Sequence, residues 1–274
     1  MKKTLSISIC FMILTFSCKK EKGDDTKQDR VQSISHENLF SHVFTYDNQQ
    51  RLSRIDYDAG SSLRFEYNGS GLLMQQYNGN APDPDRKYDL TIVNGRAVSG
   101  RQYLPGNKVN EYDYQYDNAN KMSSATVVLK TAGDEKETHY YTFHYDANDD
   151  LAETRVLKRA DNVKVDSVAY SYTYYTRRPF LNWAHFGFDH FGNAAFSVDN
   201  LGYGTYMPQL YGIDIRPRTH AWATLTAKNY TWNAGLSVWV QLGSAGTSNR
   251  SEADYVYDDR NRLIKADGLT IAWK

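Results

Sequence analysis

Cysteine is almost absent: the chain of 274 residues holds two, Cys10 and Cys18. Removal of an N-terminal leader ending at Ser17 leaves one thiol, which excludes a fold stapled by internal disulfides. An excess of charge is missing as well, since 32 Lys and Arg face 32 Asp and Glu. No bulk field attracts nucleic acid or an anionic surface, and a nucleic-acid partner is not expected. No apolar run is long enough to stay in a bilayer as a helix. Also lacking are a Gly-rich phosphate loop, a GxSxG elbow, an HExxH pair and a Cys–His nucleophile arrangement. The expectation is no metal, no cofactor and no catalytic residue.

What is present begins with 41% apolar residues, enough for a sizeable core, and 22 tyrosines. Tyrosine suits a pleated, half-buried surface, because the ring packs while the hydroxyl reaches a polar partner. The N-terminus reads MKKTLSISICFMILTFS, with Lys2 and Lys3 before an apolar stretch and small Ser17 before Cys18. That is the layout of a secretion signal over 1–17. Residues 18–30 are polar without apolar periodicity and read as a flexible tether, and 31–274 as a single β domain.

The β reading rests on a unit that occurs five times without gaps: FTYDNQQRL (44–52), FEYNGSGLL (65–73), YQYDNANKM (114–122), FHYDANDDL (143–151) and YVYDDRNRL (255–263). An aromatic stands first and Tyr third, which puts both rings on one face of a strand. Asp or Asn follows and starts a turn by bonding backbone amides ahead of it. Four residues beyond the Tyr stand Gln50, Gly71, Asn120, Asp149 and Asn261, where a type I turn followed by a left-handed residue requires positive φ. Gln50 is the type least suited to that place. Leu52, Leu73, Met122, Leu151 and Leu263 are then expected as the first core residues of the returning strands. Asn94-Gly95 marks a further two-residue turn, and alternation continues in EYDYQY, HYYTFHY and VAYSYTYY. About a dozen strands follow in sequence, an all-β antiparallel hairpin meander forming a curled sheet or barrel-like shell.

Three resemblances follow from these residues. The junction at Ser17-Cys18 resembles a bacterial lipoprotein signal, with KKEKGDD at 19–25 similar to a surface-export signal of Bacteroidota. That resemblance implies lipidation of Cys18 and a lipid anchor in the outer membrane of the cell envelope, facing the surface or the periplasm. The repeated unit resembles the YD repeat of RHS-type shell proteins. Residues 31–274 resemble an uncharacterised family of Bacteroidota-type lipoproteins with a porin-like β fold, which brings no assigned catalytic residues. A lipid-embedded barrel is nonetheless not expected, since EYDYQY and HYYTFHY present charge, histidine or tyrosine where an aliphatic band would have to lie.

The segment 177–218 breaks the hairpin period and is rich in aromatics and glycine. It is expected to form a short irregular or helical insertion near 180–206, and its Trp183, Phe186, Tyr203 and Tyr206 are the ligand-binding candidates. His185, Asp189 and His190 lack the spacing of metal ligands on one helix face. Asp149-Asp150 and Asp258-Asp259 fall in expected turns, where Asp serves the backbone. The residues favour a non-catalytic binding or interaction module for a glycan, a peptide or an envelope protein. The alternative is an envelope hydrolase acting on glycans or peptides, with acids and histidines gathered from distant strands.

Overall fold

The computed structural model describes residues 29–36, 40–57, 60–161, 163–179, 220–266 and 268–274. Its strands are β1 (Val31–His36), β2 (Phe40–Tyr46), β3 (Leu52–Tyr57), β4 (Ser61–Asn68), β5 (Gly71–Asn78), β6 (Ala81–Val93), β7 (Arg96–Leu104), β8 (Lys108–Tyr116) and β9 (Met122–Thr131). They continue as β10 (Asp134–Tyr145), β11 (Leu151–Ala160), β12 (Val163–Pro179), β13 (His220–Asn233), β14 (Val238–Asn249), β15 (Tyr255–Tyr257), β16 (Leu263–Ala266) and β17 (Leu269–Trp273). A 3-10 turn, Glu252–Asp254, separates β14 from β15. The all-β antiparallel meander is as expected, with 17 strands among the described residues in place of about a dozen. The surplus lies in strands of mixed composition such as β11, LAETRVLKRA, whose half-exposed faces carry Lys, Arg and Glu and blur the alternation.

Each strand pairs antiparallel with its successor from β1 to β14 and again from β15 to β17. β1 lies between β2 and β17 and so joins the two runs. No ladder connects β14 to β15 among the described residues, and the sheet curls without closing. The strands differ in height. β10 to β14 run over 10 to 17 residues and form a tall wall, whereas β15 to β17 run over 3 to 5.

The repeated unit explains the lower rim. In four copies the Asp after the Tyr accepts two backbone N–H groups through one oxygen, from Gln49 and Arg51 at Asp47, Ala119 and Lys121 at Asp117, Asn148 and Asp150 at Asp146, and Arg260 and Arg262 at Asp258. The residues four beyond the Tyr adopt the left-handed conformation, Gln50 at φ 60°, Asn120 at 66°, Asp149 at 68° and Asn261 at 59°. This is the type I turn with its bulge, and Gln50 takes the same conformation without the usual side chain for it. The returning residues Leu52, Met122 and Leu151 are 0% exposed.

The second copy departs from expectation. Asn68 pairs with Gly71, so Gly69-Ser70 is the loop, and positive φ falls on Gly69 at 60° and not on Gly71. The loop is shorter than in the other copies, which shifts the phase of β5: Leu72 enters the core at 1% exposed, and Leu73 is left half-buried. A shift of one residue exchanges the two faces of a strand. The Asn94-Gly95 turn forms as expected, with φ of 50° and 77°.

Candidate functional site

The tyrosines of the repeated unit are occupied by the fold. Tyr67 Oη donates to the Leu52 carbonyl at 2.9 Å, Tyr116 Oη to Ala97 at 2.8 Å, Tyr145 Oη to Met122 at 2.9 Å and Tyr257 Oη to Pro179 at 2.8 Å; Tyr46 Oη donates to Val31. Tyr174 and Trp273 extend the series, donating to the Leu151 and Leu263 carbonyls. Each ring thus reaches a backbone carbonyl at or near a strand end. A cation covers several of these rings, Arg51 over Tyr67 at 4.0 Å, Lys121 over Tyr145 at 5.4 Å and Arg262 over Trp273 at 5.5 Å. Burial pushes the Tyr46, Tyr67 and Tyr145 hydroxyls well above their ordinary range, so they stay neutral donors.

Higher in the shell a buried polar cluster is likewise self-satisfied. Tyr88 and Tyr114 share a hydrogen bond, Tyr112 Oη donates to Gln102 Oε1 at 2.6 Å, and Asn110 Nδ2 donates to the same oxygen at 3.2 Å. Gly100 makes the room: a Cβ there would stand 3.0 Å from Tyr88 Oη. These side chains are all less than a tenth exposed and present no floor to a ligand.

Trp183, Phe186, Tyr203 and Tyr206, together with His185, Asp189 and His190, lie outside the described residues, as does Cys18. Among the described residues no group of three His, Cys, Asp or Glu is placed to hold a metal ion. Two His–acid pairs do form. Glu137 lies 3.0 Å from His139 and 3.1 Å from Lys158, and burial pulls the His139 imidazole below its ordinary value against the opposing effect of Glu137. Asp150 is 1% exposed and accepts both the His220 backbone N–H at 2.9 Å and His220 Nδ1 at 2.6 Å. Here the reading of Asp150 as a turn residue needs correction. The other full-length turns place Arg51, Lys121 or Arg262 at that position, whereas Asp150 reaches outside its turn and pins the first residue of β13. With both oxygens held by one residue of the fold, this is an anchor.

The site that reasoning from sequence missed lies at the opposite end of the tall wall. β14, VWVQLGSAGTSN, carries no Pro and no charged residue. It pairs on one edge only among the described residues, through Val238 to Asn233, Trp239 to Trp232, Val240 to Thr231 and Leu242 to Asn229. Val238, Val240 and Leu242 share one face, 45%, 41% and 51% exposed, and Leu236 at the hairpin tip is 70% exposed. On the other face Trp232 and Trp239 meet edge to face, centroids 5.1 Å apart. Edge strands in soluble proteins normally carry Lys, Pro or an inward charge that blocks further pairing. A signal was available: no charged residue occurs from 229 to 249 in a chain that is 23% charged.

No family model and no curated protein matches the chain. Among solved structures it is similar to a porin-like protein from Bacteroides vulgatus, 15% identical, with a TM-score of 0.56 over 89% of this chain and 93% of that one. It is also similar to a porin-like protein from Bacteroides uniformis, 12% identical, with a TM-score of 0.47 over 90% of this chain and 95% of that one. The first likeness shows a shared large antiparallel β fold.

Proposed function

We propose that the chain is a non-catalytic binding module of the cell envelope, tethered to the outer membrane through lipid on Cys18, and that it takes an extended strand of an envelope protein onto the edge of β14 that pairs with no strand among the described residues. The observation that carries this reading is the uncharged, proline-free edge of β14 with Val238, Val240 and Leu242 exposed beside it. Strand addition draws affinity from main-chain hydrogen bonds and specificity from alternate side chains, and this edge offers both. The envelope setting is supported by the signal layout around Cys18 and by the fold shared with a protein described as porin-like.

A photoreactive residue at position 240 of the full chain, expressed in cells, tests the reading. The expected result is one discrete protein adduct that disappears with Leu242→Lys and is absent when the photoreactive residue replaces Val93, an exposed position elsewhere in the sheet, 47% exposed. The same adducts from both positions, or none from position 240, contradict it. Metabolic labelling with a fatty-acid analogue marks the wild type and spares Cys18→Ala; equal labelling of both contradicts the anchor.

A further inference from the structure

The outer face of the tall wall holds a second arrangement that neither the fold nor strand addition requires. Arg159 of β11 and Lys164 of β12 stand directly opposite one another in register, one step past a bulge. Like charges at opposed positions destabilise a sheet. Neither forms an ion pair among the described residues. Each cation instead faces an aromatic ring, Arg159 at 5.1 Å from the Tyr140 centroid and Lys164 at 4.1 Å from the Trp232 centroid. Trp239 lies beyond Trp232 on the same face. Five adjacent strands therefore present, in order, Tyr140, Arg159, Lys164, Trp232 and Trp239, a row roughly 19 Å long at ordinary strand spacing.

From this row we infer that the outer face of β10 to β14 binds an acidic glycan, a chain of sugars bearing carboxylate or sulfate groups. An anion between Arg159 and Lys164 relieves the mutual repulsion of the two opposed cations. Aromatic side chains on either side offer apolar contact to the C–H faces of sugar rings. A chain with equal numbers of basic and acidic residues has no general attraction for polyanions, so the affinity is local to the row.

The test measures binding of the full chain to polygalacturonate and to dextran sulfate by calorimetry, with neutral dextran, polyphosphate and phosphatidylglycerol vesicles as comparisons. The variants are Arg159→Gln with Lys164→Gln, Trp232→Ala, and Lys108→Gln as a control on another part of the sheet. The expected result is binding to at least one acidic polysaccharide and none to neutral dextran. The double variant weakens it at least tenfold, Trp232→Ala at least threefold, and Lys108→Gln leaves it unchanged. The melting midpoint of the double variant stays level or rises, because the opposed charges are gone; this separates lost contact from lost fold. Equal affinity of wild type and double variant overturns the inference. So does equal binding of polyphosphate, which would mean an anion site indifferent to sugar, or binding of vesicles alone, which would mean a lipid surface.

Discussion

The two ends of the shell are built on opposite terms. At the lower rim, four turns repeat one set of hydrogen bonds from Asp47, Asp117, Asp146 and Asp258, and each neighbouring Tyr is spent on a backbone carbonyl. At the upper end of the tall wall, Val238, Val240, Leu242 and Leu236 are exposed, and among the described residues β14 pairs on one edge only and the opposed Arg159 and Lys164 form no ion pair. Repetition at the rim marks residues chosen for the fold, because the same physical problem recurs at each strand reversal. The upper end solves no such problem, and its features have a cost unless something binds there.

The widest separation between the ends is expected in the core. Met122→Ala, at a position 0% exposed, should cost about 2 to 5 kcal/mol by denaturant unfolding, whereas Leu242→Ala, 51% exposed, should stay within about 0.5 kcal/mol. Similar losses at both sites would break the comparison, since β14 would then be packed against something.

A smaller contrast concerns the hydroxyls. Tyr67→Phe removes the bond to the Leu52 carbonyl and should cost about 1 kcal/mol, while Tyr140→Phe, on the exposed outer face, should cost nothing measurable. Gln50→Gly should stabilise the chain by roughly 1 kcal/mol, because Gln50 holds φ 60° without being Gly, Asn or Asp. Asn120→Gly, where Asn already suits the turn, should change the stability less. Both comparisons are read from unfolding midpoints at constant m-value.

The smallest expected effect is a dependence on acid. Burial alone would raise the Asp47 carboxyl, but the Arg51 N–H and guanidinium and the Gln49 N–H outweigh it and hold the group below its ordinary 3.8. Asp258 behaves alike: burial, the largest single effect, opposes, and the hydrogen bonds and charge of Arg262 with the Arg260 N–H together prevail. Carboxyls depressed in the folded state contribute stability that is fully present above 3.8 and fades as pH falls through their lower folded values. Unfolding of Asp47→Asn with Asp258→Asn should therefore show a shallower loss below pH 3.8 than the wild type. An unchanged acid limb would remove these carboxylates from the account of the rim.

The rim was legible in the sequence because its chemistry is local. Asp, a left-handed residue and a returning Leu or Met lie within a few positions of each other, and the recurrence of the unit confirms each part. The second copy misled because the Gly71 of its ungapped alignment sits one place past the loop, and only the pairing of Asn68 with Gly71 reveals the shorter turn. Asp150 was read as a turn residue because its partner, His220, lies far along the chain. The upper end was hidden for a related reason. Whether Val240 is core or surface depends on whether another strand follows β14 in the sheet, and alternation within β14 is the same in either case. The opposed Arg159 and Lys164 depend on a bulge that no residue type announces.

Hydrogen exchange on the full chain puts the central comparison to a direct test. The amides of Leu52, Met122, Leu151 and Leu263 should exchange only through global unfolding, and the β14 amides that point away from β13 should exchange as fast as an unstructured peptide. If every amide of β14 is as slow as those of the rim, its edge is already covered, and the account of a free strand edge awaiting a partner is contradicted.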